Sequence, residues 1–209
     1  MRLPNNLSQK KEWTLVGPLG PQVPEKLLAH PLMAIDGGAE FCPRIDIWVG
    51  DNDSNQQNID CEHKFEFSPK KDVSDFALAL KLLQHHSSLT LHLWGFLGGR
   101  RDHEMMNFGE ICHFLNSGPL SKAIFYDAKG DNVIQCLGQG QWTFSHSGLF
   151  SVACLQPINL TLTGHCHYQL PDRTQLSPLS SFGLSNVAQG EISLTNDGPV
   201  LLYLMEPSK

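Results

Sequence analysis

The sequence predicts a mostly parallel, Rossmann-like α/β domain followed by an antiparallel β-sandwich or barrel. In the first part, short apolar runs alternate with segments whose apolar residues have helical spacing, which is typical of a parallel sheet covered by helices on both faces. After about residue 128 no good helical pattern follows, and short β-type runs recur between Gly, Pro, Asn and Asp residues. We therefore expect an α/β domain over residues 1–128 and a β domain over residues 129–209.

The predicted elements of the first domain are strands and helices in alternation. Its strands are short apolar runs at 13–16, 32–35, 45–49, 65–67, 89–96 and 123–126. Its helices, at 73–85 and 102–115, repeat apolar residues at the spacing of one helical face. The β-type runs of the second domain lie at 133–137, 141–144, 149–154, 158–162, 166–170, 191–194 and 200–204.

The bulk composition excludes several classes of protein. The 209 residues allow one large domain or two small ones, and 41% hydrophobic content is enough to build a core. A net charge of −6 argues against non-specific nucleic-acid binding, which needs a basic surface. The positive N-terminus is followed by no apolar run, and no stretch is long enough to cross a membrane, so we expect a cytoplasmic protein. The six cysteines include no CxxC and are typical of reduced thiols.

Two acidic residues follow the third predicted strand directly. Asp51 and Asp53 stand two positions apart in the sequence VGDNDS. In open α/β sheets, ligands bind at the carboxyl ends of the strands. Carboxylates that lie close together repel each other unless a cation lies between them, and Mg²⁺ prefers oxygen ligands. The pair therefore predicts a magnesium site with a phosphorylated ligand; a solvated acidic turn is the alternative.

Two further loops carry residues suited to the same site. Asp36, Gly37 and Gly38 follow the second strand, and the glycines allow a ligand to approach the backbone closely. A plain turn is the alternative for this loop. Asp72 and Asp75 lie at the start of the first helix, where Asp72 is a candidate N-cap. One or both of these acids are also candidate ligands of the cation.

The fourth loop joins the strand at 89–96 to the second helix. Gly98 and Gly99 precede Arg100, and glycine-rich backbone before a helix N-terminus is typical of anion sites. Arg100 adds bidentate capacity for phosphate, and Asp102 is expected to cap the helix or to join the metal. Together the four loops predict a shared site for Mg²⁺ and a nucleotide. The chain has no Walker A sequence.

A second cluster, His165-Cys166-His167, has the composition of a metal pair. Alternation along a strand places the two histidines on one face, but the sequence offers no obvious further ligands. We therefore interpret these residues as ordinary residues of a β-strand.

The motifs IDGGA (35–39), VGDNDS (49–54), KDVSDFALAL (71–80) and GGRRDHEMMN (98–107) resemble the ordered signature of the thiamine pyrophosphokinases. Their order and spacing agree with that family throughout the first domain. In the second domain, GLFSVACLQP (148–157), GHCHYQL (164–170) and GLSN (183–186) are similar to the family's β-sandwich in layout.

The resemblance implies a homodimer that transfers diphosphate from ATP to thiamine in the presence of Mg²⁺, giving thiamine diphosphate and AMP. It implies thiamine bound between the α/β domain of one subunit and the β domain of the other. The implied metal ligands are Asp51, Asp53, Asp72 and Asp75. The implied nucleotide-binding residues are Asp36, Gly37, Gly38, Gly98, Gly99, Arg100 and Asn107. The implied thiamine-binding residues are Tyr168, Ser185 and Asn186. The implied catalytic residues are Asp53, Asp75, Arg100 and Asp102, with Asp75 and Asp102 as candidates for the base.

The chain departs from the family pattern at Asn52, where an aromatic residue is usual, and at 165–167 on the acceptor side. Two alternatives to thiamine diphosphokinase therefore stay open. One is a diphosphokinase that acts on another hydroxymethyl or hydroxyethyl heterocycle, such as a pterin. The other is a non-catalytic nucleotide-binding module of the same fold.

Overall fold

A computed structural model describes residues 2–51, 59–86 and 88–205. Its first strands are β1 (Glu12–Val16), β2 (Leu32–Ile35), β3 (Ile47–Gly50), β4 (Lys64–Glu66), β5 (Leu89–Trp94) and β6 (Leu120–Tyr126). The later strands are β7 (Asn132–Leu137), β8 (Gly140–Ala153), β9 (Ile158–Cys166), β10 (Leu170–Leu176), β11 (Asn186–Asn196) and β12 (Val200–Leu204). The helices are α1 (Asp75–Leu83) and α2 (Arg101–Ser117), with short 3₁₀ helices at Glu25–Leu27, Asp36–Phe41 and Ser181–Gly183.

The strands form one mixed sheet in the order β10-β9-β11-β8-β12-β7-β6-β5-β1-β2-β3-β4. Strands β6, β5, β1, β2, β3 and β4 are parallel, and β1 pairs with both β2 and β5. The chain therefore builds the sheet outward from β1 to β4 and then continues on the other side of β1 with β5. This reversal is a topological switch point, and the crevice at the carboxyl ends of such strands is where α/β sheets bind ligands.

The predicted division into a Rossmann-like α/β domain and a separate antiparallel sandwich is wrong. Strand β6 pairs antiparallel with β7, so the ladder continues from the parallel strands into the antiparallel ones. The turn between them is tight, because Asp127 Oδ1 accepts hydrogen bonds from the amides of Lys129 and Asp131, both at 2.9 Å, and Gly130 has a φ of 89°. Residues that indicate a boundary in the sequence thus form a hairpin turn between neighbouring strands.

Both described α-helices pack on the same face of the parallel strands. They share one apolar core with alternate residues of β5, namely Leu89, Leu91 and Leu93. The irregular segment between β1 and β2 covers the other face, where Thr14 Oγ1 donates to the Leu27 carbonyl at 2.8 Å. The prediction of helices on both faces is therefore wrong for the described residues. Neither helix is long and apolar enough to span a bilayer.

The antiparallel strands curl around a second core. Leu160 of β9 and Leu202 of β12 belong to the same apolar cluster although other strands lie between them in the sheet. Strand β8 replaces the two strands predicted at 141–144 and 149–154, and Gly148 within it has a φ of 128°. The strand predicted at 166–170 is wrong, because β9 ends at Cys166, β10 begins at Leu170, and the residues between them form the connection. The curl lets one continuous sheet bury an interior as a sandwich does.

All six cysteines are unpaired, as the sequence predicts. Three of them, Cys112, Cys136 and Cys154, are buried. Burial raises the pKa of each of these thiols, and the pKa of Cys112 rises to about 11. The buried thiols are therefore protonated and act as small apolar core residues.

Candidate active site

A pocket of about 400 Å³ opens at the switch point. Its walls come from the loops after β1, β2 and β5 and from the first turns of both α-helices. The lining residues are Pro18, Leu19, Ile35, Asp36, Ser74, Asp75, Phe76, Gly95, Phe96, Arg100, His103, Glu104 and Asn107. Three of the four predicted ligand loops thus meet at one cavity, and they bring Asp36, Asp75, Arg100 and Asn107 together.

Two glycine-rich loops form one wall by direct backbone contact. The Gly17 amide donates to the Trp94 carbonyl at 2.7 Å, and the Leu19 amide donates to the Gly95 carbonyl at 3.1 Å. Gly95 has a φ of 76°, and a Cβ atom there would lie 2.2 Å from the Leu19 carbonyl oxygen. Only glycine fits this approach, so the loops after β1 and β5 are held together at the edge of the pocket.

The Asp36-Gly37-Gly38 loop starts a 3₁₀ helix immediately after β2. Asp36 has a φ of 50°, and its carbonyl accepts a hydrogen bond from Trp48 Nε1 at 3.1 Å. A Cβ atom on Gly38 would lie 2.1 Å from the Val16 carbonyl oxygen, whereas one on Gly37 would meet only Pro18, at 3.5 Å. Gly38 is therefore required by backbone packing. Gly37 is the glycine of this pair that leaves room for a ligand.

Lys71 joins two of the predicted metal ligands. Its Nζ lies 2.6 Å from Asp51 Oδ2 and 3.1 Å from Asp75 Oδ1, and all three side chains are largely buried. Burial lowers the pKa of the Lys71 ammonium, but the hydrogen bonds to Asp51 and Asp75 outweigh it and the pKa is raised. An ammonium group thus lies where the sequence predicts a cation. Sequence reasoning missed Lys71, although it stands in the KDVSD motif.

The convergence of these carboxylates fits a magnesium ion. Asp51 and Asp75 each place one oxygen against the same nitrogen atom, so their oxygens surround one position. Mg²⁺ takes oxygen ligands, and two carboxylates are a usual protein contribution to its coordination. Asp53, the remaining acid of the VGDNDS loop, lies outside the described residues. The structure therefore brings together Asp51 and Asp75 of the predicted metal set.

The prediction that Asp72 caps the first helix is wrong. Helix α1 begins at Asp75, and the side chain of Ser74 accepts the capping hydrogen bond from the Ala77 amide at 3.1 Å. Ser74 lies immediately before the helix with extended backbone, as an N-cap requires. Asp72 is exposed, two residues outside this position.

The fourth loop resembles an anion site already occupied by a side chain. The Gly98 amide donates to Glu104 Oε2 at 2.9 Å, and a Cβ atom on Gly98 would meet nothing within 4 Å. A carboxylate oxygen on this amide indicates that a phosphate oxygen fits there as well. Gly99 packs against Leu19, where a Cβ atom would lie 2.4 Å from Leu19 Cδ1. Glu104 is a second residue that sequence reasoning missed.

Arg100 and Asp102 bind each other at the start of α2. Arg100 donates from Nε to Asp102 Oδ1 at 3.2 Å and from a terminal nitrogen to Oδ2 at 2.5 Å. This contact lowers the pKa of the exposed Asp102 carboxyl to about 2. The N-cap position is Arg100, whose side chain makes no capping bond, so the prediction that Asp102 caps α2 is wrong. Asp102 is held by Arg100 within the first turn instead.

The predicted thiamine-binding residues form a separate cluster. Asn186 Nδ2 donates to the Tyr168 carbonyl at 2.6 Å, and the Tyr168 amide donates to Asn186 Oδ1 at 3.0 Å. Ser185, with a φ of 58°, donates its amide to Ser151 Oγ at 3.0 Å, and the Tyr168 side chain is exposed. Six strand spacings separate β11 from β1, which is about 29 Å along a flat sheet. The cluster therefore lies far along the sheet from the pocket.

The His165-Cys166-His167 cluster gains no third ligand. Within the described ranges, no set of three His, Cys, Asp or Glu ligand atoms converges around these two histidines. His165 and Cys166 end β9, and His167 lies just beyond it.

Comparison with known proteins matches the segment that contributes most of the pocket lining. The sequence model of the thiamin pyrophosphokinase catalytic domain matches residues 27–120. The chain carries a thiamin pyrophosphokinase catalytic domain. The family is one of kinase-type transferases, and the matched segment contains β2 to β5 and both α-helices. It therefore includes Asp36, Asp51, Lys71, Asp75 and Arg100. No curated protein matches the chain.

Solved structures of this family have the same fold. The thiamine pyrophosphokinase of Bacillus subtilis aligns with a TM-score of 0.72 at 18% identity, covering 95% of this chain and 100% of that one. The enzyme of Geobacillus thermodenitrificans gives 0.69 at 19% identity, over 94% and 99%. That of Candida albicans gives 0.70 at 13% identity, over 94% and 90%. At these identities the alignments establish the fold over nearly the whole chain.

Replacement of Lys71 by methionine is expected to tighten Mg²⁺ binding by about tenfold. In the wild-type chain the ion must displace the ammonium from Asp51 and Asp75, and the variant removes that competitor. Calorimetric titration with Mg²⁺ in the absence of nucleotide measures the change. Lys70→Met is the matched control, because Lys70 is exposed and next in sequence. Weaker binding in Lys71→Met would show that the lysine supports the ion instead of competing with it.

An Asn186→Ala variant is expected to lower the free energy of unfolding by about 1–3 kcal/mol, because both side-chain hydrogen bonds to the Tyr168 backbone are lost. Tyr168→Ala removes only an exposed ring and is expected to change stability by about 0.5 kcal/mol or less. Urea denaturation of both variants measures the difference. Equal losses of stability in the two variants would show that the hydrogen bonds from Asn186 to the Tyr168 backbone do not stabilise the fold.

Proposed function

We propose that the protein transfers a diphosphate group from ATP to thiamine with the help of Mg²⁺, forming thiamine diphosphate and AMP. The observation that carries this proposal is the convergence of Asp51 and Asp75 on one cation position, beside a pocket at the switch point. Diphosphate transfer depends on positioning and on charge neutralisation more than on covalent catalysis. A two-carboxylate cation position next to glycine-rich backbone supports both requirements.

The residues of the site have distinct proposed roles. Asp51 and Asp75, with Asp53, would hold Mg²⁺, which when bound neutralises charge on the ATP phosphates. Lys71, once displaced from the two carboxylates, stays close enough to pair with phosphate oxygens. Arg100 would exchange its exposed contact with Asp102 for a bidentate contact with the transferred group. Gly98 and Gly99 would offer backbone amides to the same charge.

Asp75 is the better candidate for the base that accepts the hydroxyl proton of the acceptor. It lines the pocket, whereas Asp102 is exposed and turned toward Arg100. Asp36 and Asn107, which also line the pocket, are proposed to orient the nucleotide.

We propose that the acceptor site is completed by a second copy of the chain in a homodimer. In one chain, Tyr168, Ser185 and Asn186 lie several strands along the sheet from β1, and none of them lines the pocket. Exposed Phe182 and Leu184 adjoin Ser185, and clustered apolar side chains of this kind are typical of association surfaces. These residues support an interface next to the acceptor cluster.

The unpaired cysteines support a location in the cytoplasm. Six thiols without a disulfide are usual where glutathione and thioredoxin keep the environment reducing. The substrates we propose, ATP and thiamine, require neither a nucleic acid nor a membrane partner.

Acceptor identity is tested by offering thiamine and a hydroxymethylpterin in parallel with ATP and Mg²⁺. Mass spectrometry of the products is expected to detect thiamine diphosphate and no pterin diphosphate. Pterin diphosphate as the main product would identify a different acceptor for the same chemistry. ATP binding without AMP release for either acceptor would indicate a non-catalytic nucleotide-binding module.

A further inference from the structure

Three side chains with metal-binding groups meet on the sheet face opposite the helices. Glu12 starts β1, His92 lies within β5, and His30 stands just before β2. Glu12 Oε2 lies 3.3 Å from His92 Nε2 and 3.7 Å from His30 Nε2, and one ligand atom of each residue lies within 4.8 Å of the others. Among the described residues, no other three His, Cys, Asp or Glu side chains bring their ligand atoms this close together. It is separate from the pocket and from every residue assigned to diphosphate transfer.

Tyr126 fixes the second nitrogen of the buried histidine. His92 Nδ1 lies 2.8 Å from the Tyr126 hydroxyl. A carboxylate only accepts hydrogen bonds, so a neutral His92 that is bonded to Glu12 carries its proton on Nε2 and accepts from Tyr126. The hydroxyl can equally accept from Nδ1–H, which frees the Nε2 lone pair. Metal-bound histidines usually have such a partner on the other ring nitrogen.

We propose that Glu12, His30 and His92 bind a transition-metal dication of the zinc class. Two imidazole nitrogens and one carboxylate oxygen are the donors that Zn²⁺ accepts, whereas Mg²⁺ prefers oxygen ligands. Zinc-to-ligand distances of about 2.0–2.2 Å place tetrahedral ligand atoms about 3.3–3.6 Å apart. The 3.3 and 3.7 Å separations between Glu12 and the two histidines agree with that spacing. Three protein ligands leave the fourth position to water or to a small ligand.

One ring must turn for the ion to bind. The imidazoles of His30 and His92 are stacked, with centroids 4.6 Å apart and planes 5° from parallel. Lone pairs in parallel planes do not meet at one point, so chelation requires one ring to rotate. His30 is the ring that can do so, because it lies outside the strands and is 22% exposed, against 11% for His92. Glu12, half-exposed at the start of β1, gives the ion access from solvent.

The surrounding charges set the conditions for binding. The cations around the cluster include Lys122 on β6, Lys26, which lies 5.3 Å from the centroid of the Tyr126 ring, and Arg44, which donates to the His30 carbonyl at 2.9 Å. Burial lowers the pKa of Lys122, and burial together with nearby His30 lowers that of His92. The lowered pKa of His92 favours its neutral imidazole, which is the form that binds a metal.

Cobalt(II) titration of the full chain, with excess Mg²⁺ present, tests the proposal. We expect one Co²⁺ per chain, with visible absorption of a low-coordinate nitrogen and oxygen site and no thiolate charge-transfer band. Zn²⁺ is expected to displace the Co²⁺. His30→Ala is expected to abolish this absorption while circular dichroism stays unchanged, because His30 is partly exposed and outside the strands. His165→Ala is the matched control and is expected to keep it.

A second variant separates this site from adventitious binding to histidines. Tyr126→Phe leaves all three ligands in place and is expected to weaken Zn²⁺ binding by about tenfold, through loss of the partner on His92 Nδ1. Unchanged Co²⁺ absorption in His30→Ala, its loss in His165→Ala, or a thiolate band in the wild-type spectrum would each overturn the proposal.

Discussion

An Asp75→Ala variant is expected to lose diphosphate transfer by about 10³-fold or more while remaining folded. Asp75 is the described residue that belongs both to the pocket lining and to the carboxylate pair on Lys71. Its removal takes away a metal ligand and the candidate base together, and each tenfold loss corresponds to about 1.4 kcal/mol of transition-state stabilisation. The helix keeps its N-cap, because Ser74 and not Asp75 makes the capping bond.

Steady-state rates at saturating ATP, Mg²⁺ and thiamine measure this loss, with circular dichroism as the check on folding. Asp172→Ala is a suitable control, since Asp172 is an exposed acid on β10, far along the sheet from the pocket. We expect the control to retain wild-type turnover. Turnover within about tenfold of wild type in Asp75→Ala would contradict the proposed metal site.

A Gly95→Ala variant is expected to lose about 3 kcal/mol of stability and to distort the pocket. The added Cβ would lie 2.2 Å from the Leu19 carbonyl oxygen and 2.7 Å from that of Gly17. Both contacts are with backbone, so no flexible side chain can move aside, and the φ of 76° adds conformational strain. Because the loops after β1 and β5 form one wall, their separation is also expected to raise the KM for ATP.

Gly98→Ala provides a matched control for that substitution. Gly98 has a similar φ of 87°, but an added Cβ would meet nothing within 4 Å. This variant is expected to cost only the conformational strain, about 1 kcal/mol. Urea denaturation of the two variants separates strain from steric overlap. Equal losses would show that the close approach of the two loops is not needed for stability.

The order and type of most elements follow from local patterns in the sequence. The apolar runs at 32–35 and 200–204 predict β2 and β12 with the observed bounds, because short buried strands are continuous apolar segments. The candidate loops were also predictable, since acids and glycines at the carboxyl ends of parallel strands must meet at one edge. The pocket brings Asp36, Asp75 and Arg100 together in agreement with this argument.

Strand pairing and side-chain competition were not predictable in the same way. An apolar pattern identifies a strand but not its partner, so the Asp127–Asp131 hydrogen bond that closes the β6–β7 turn has no separate signature. Lys71 and Glu104 occupy their positions because an ammonium pairs with acids and a carboxylate with a free amide. Such contacts arise only once the loops are assembled. Ser74 replaced Asp72 as the cap because the helix begins two residues later than the apolar pattern indicates.

Formation of AMP from ATP and Mg²⁺, measured with and without thiamine, tests most directly whether the switch-point pocket is a diphosphate-transfer site. The account predicts AMP only when thiamine and Mg²⁺ are both present, with one thiamine diphosphate formed for each AMP and no AMP from Asp75→Ala. Release of ADP or inorganic phosphate instead, or AMP formation that does not depend on thiamine, would contradict it.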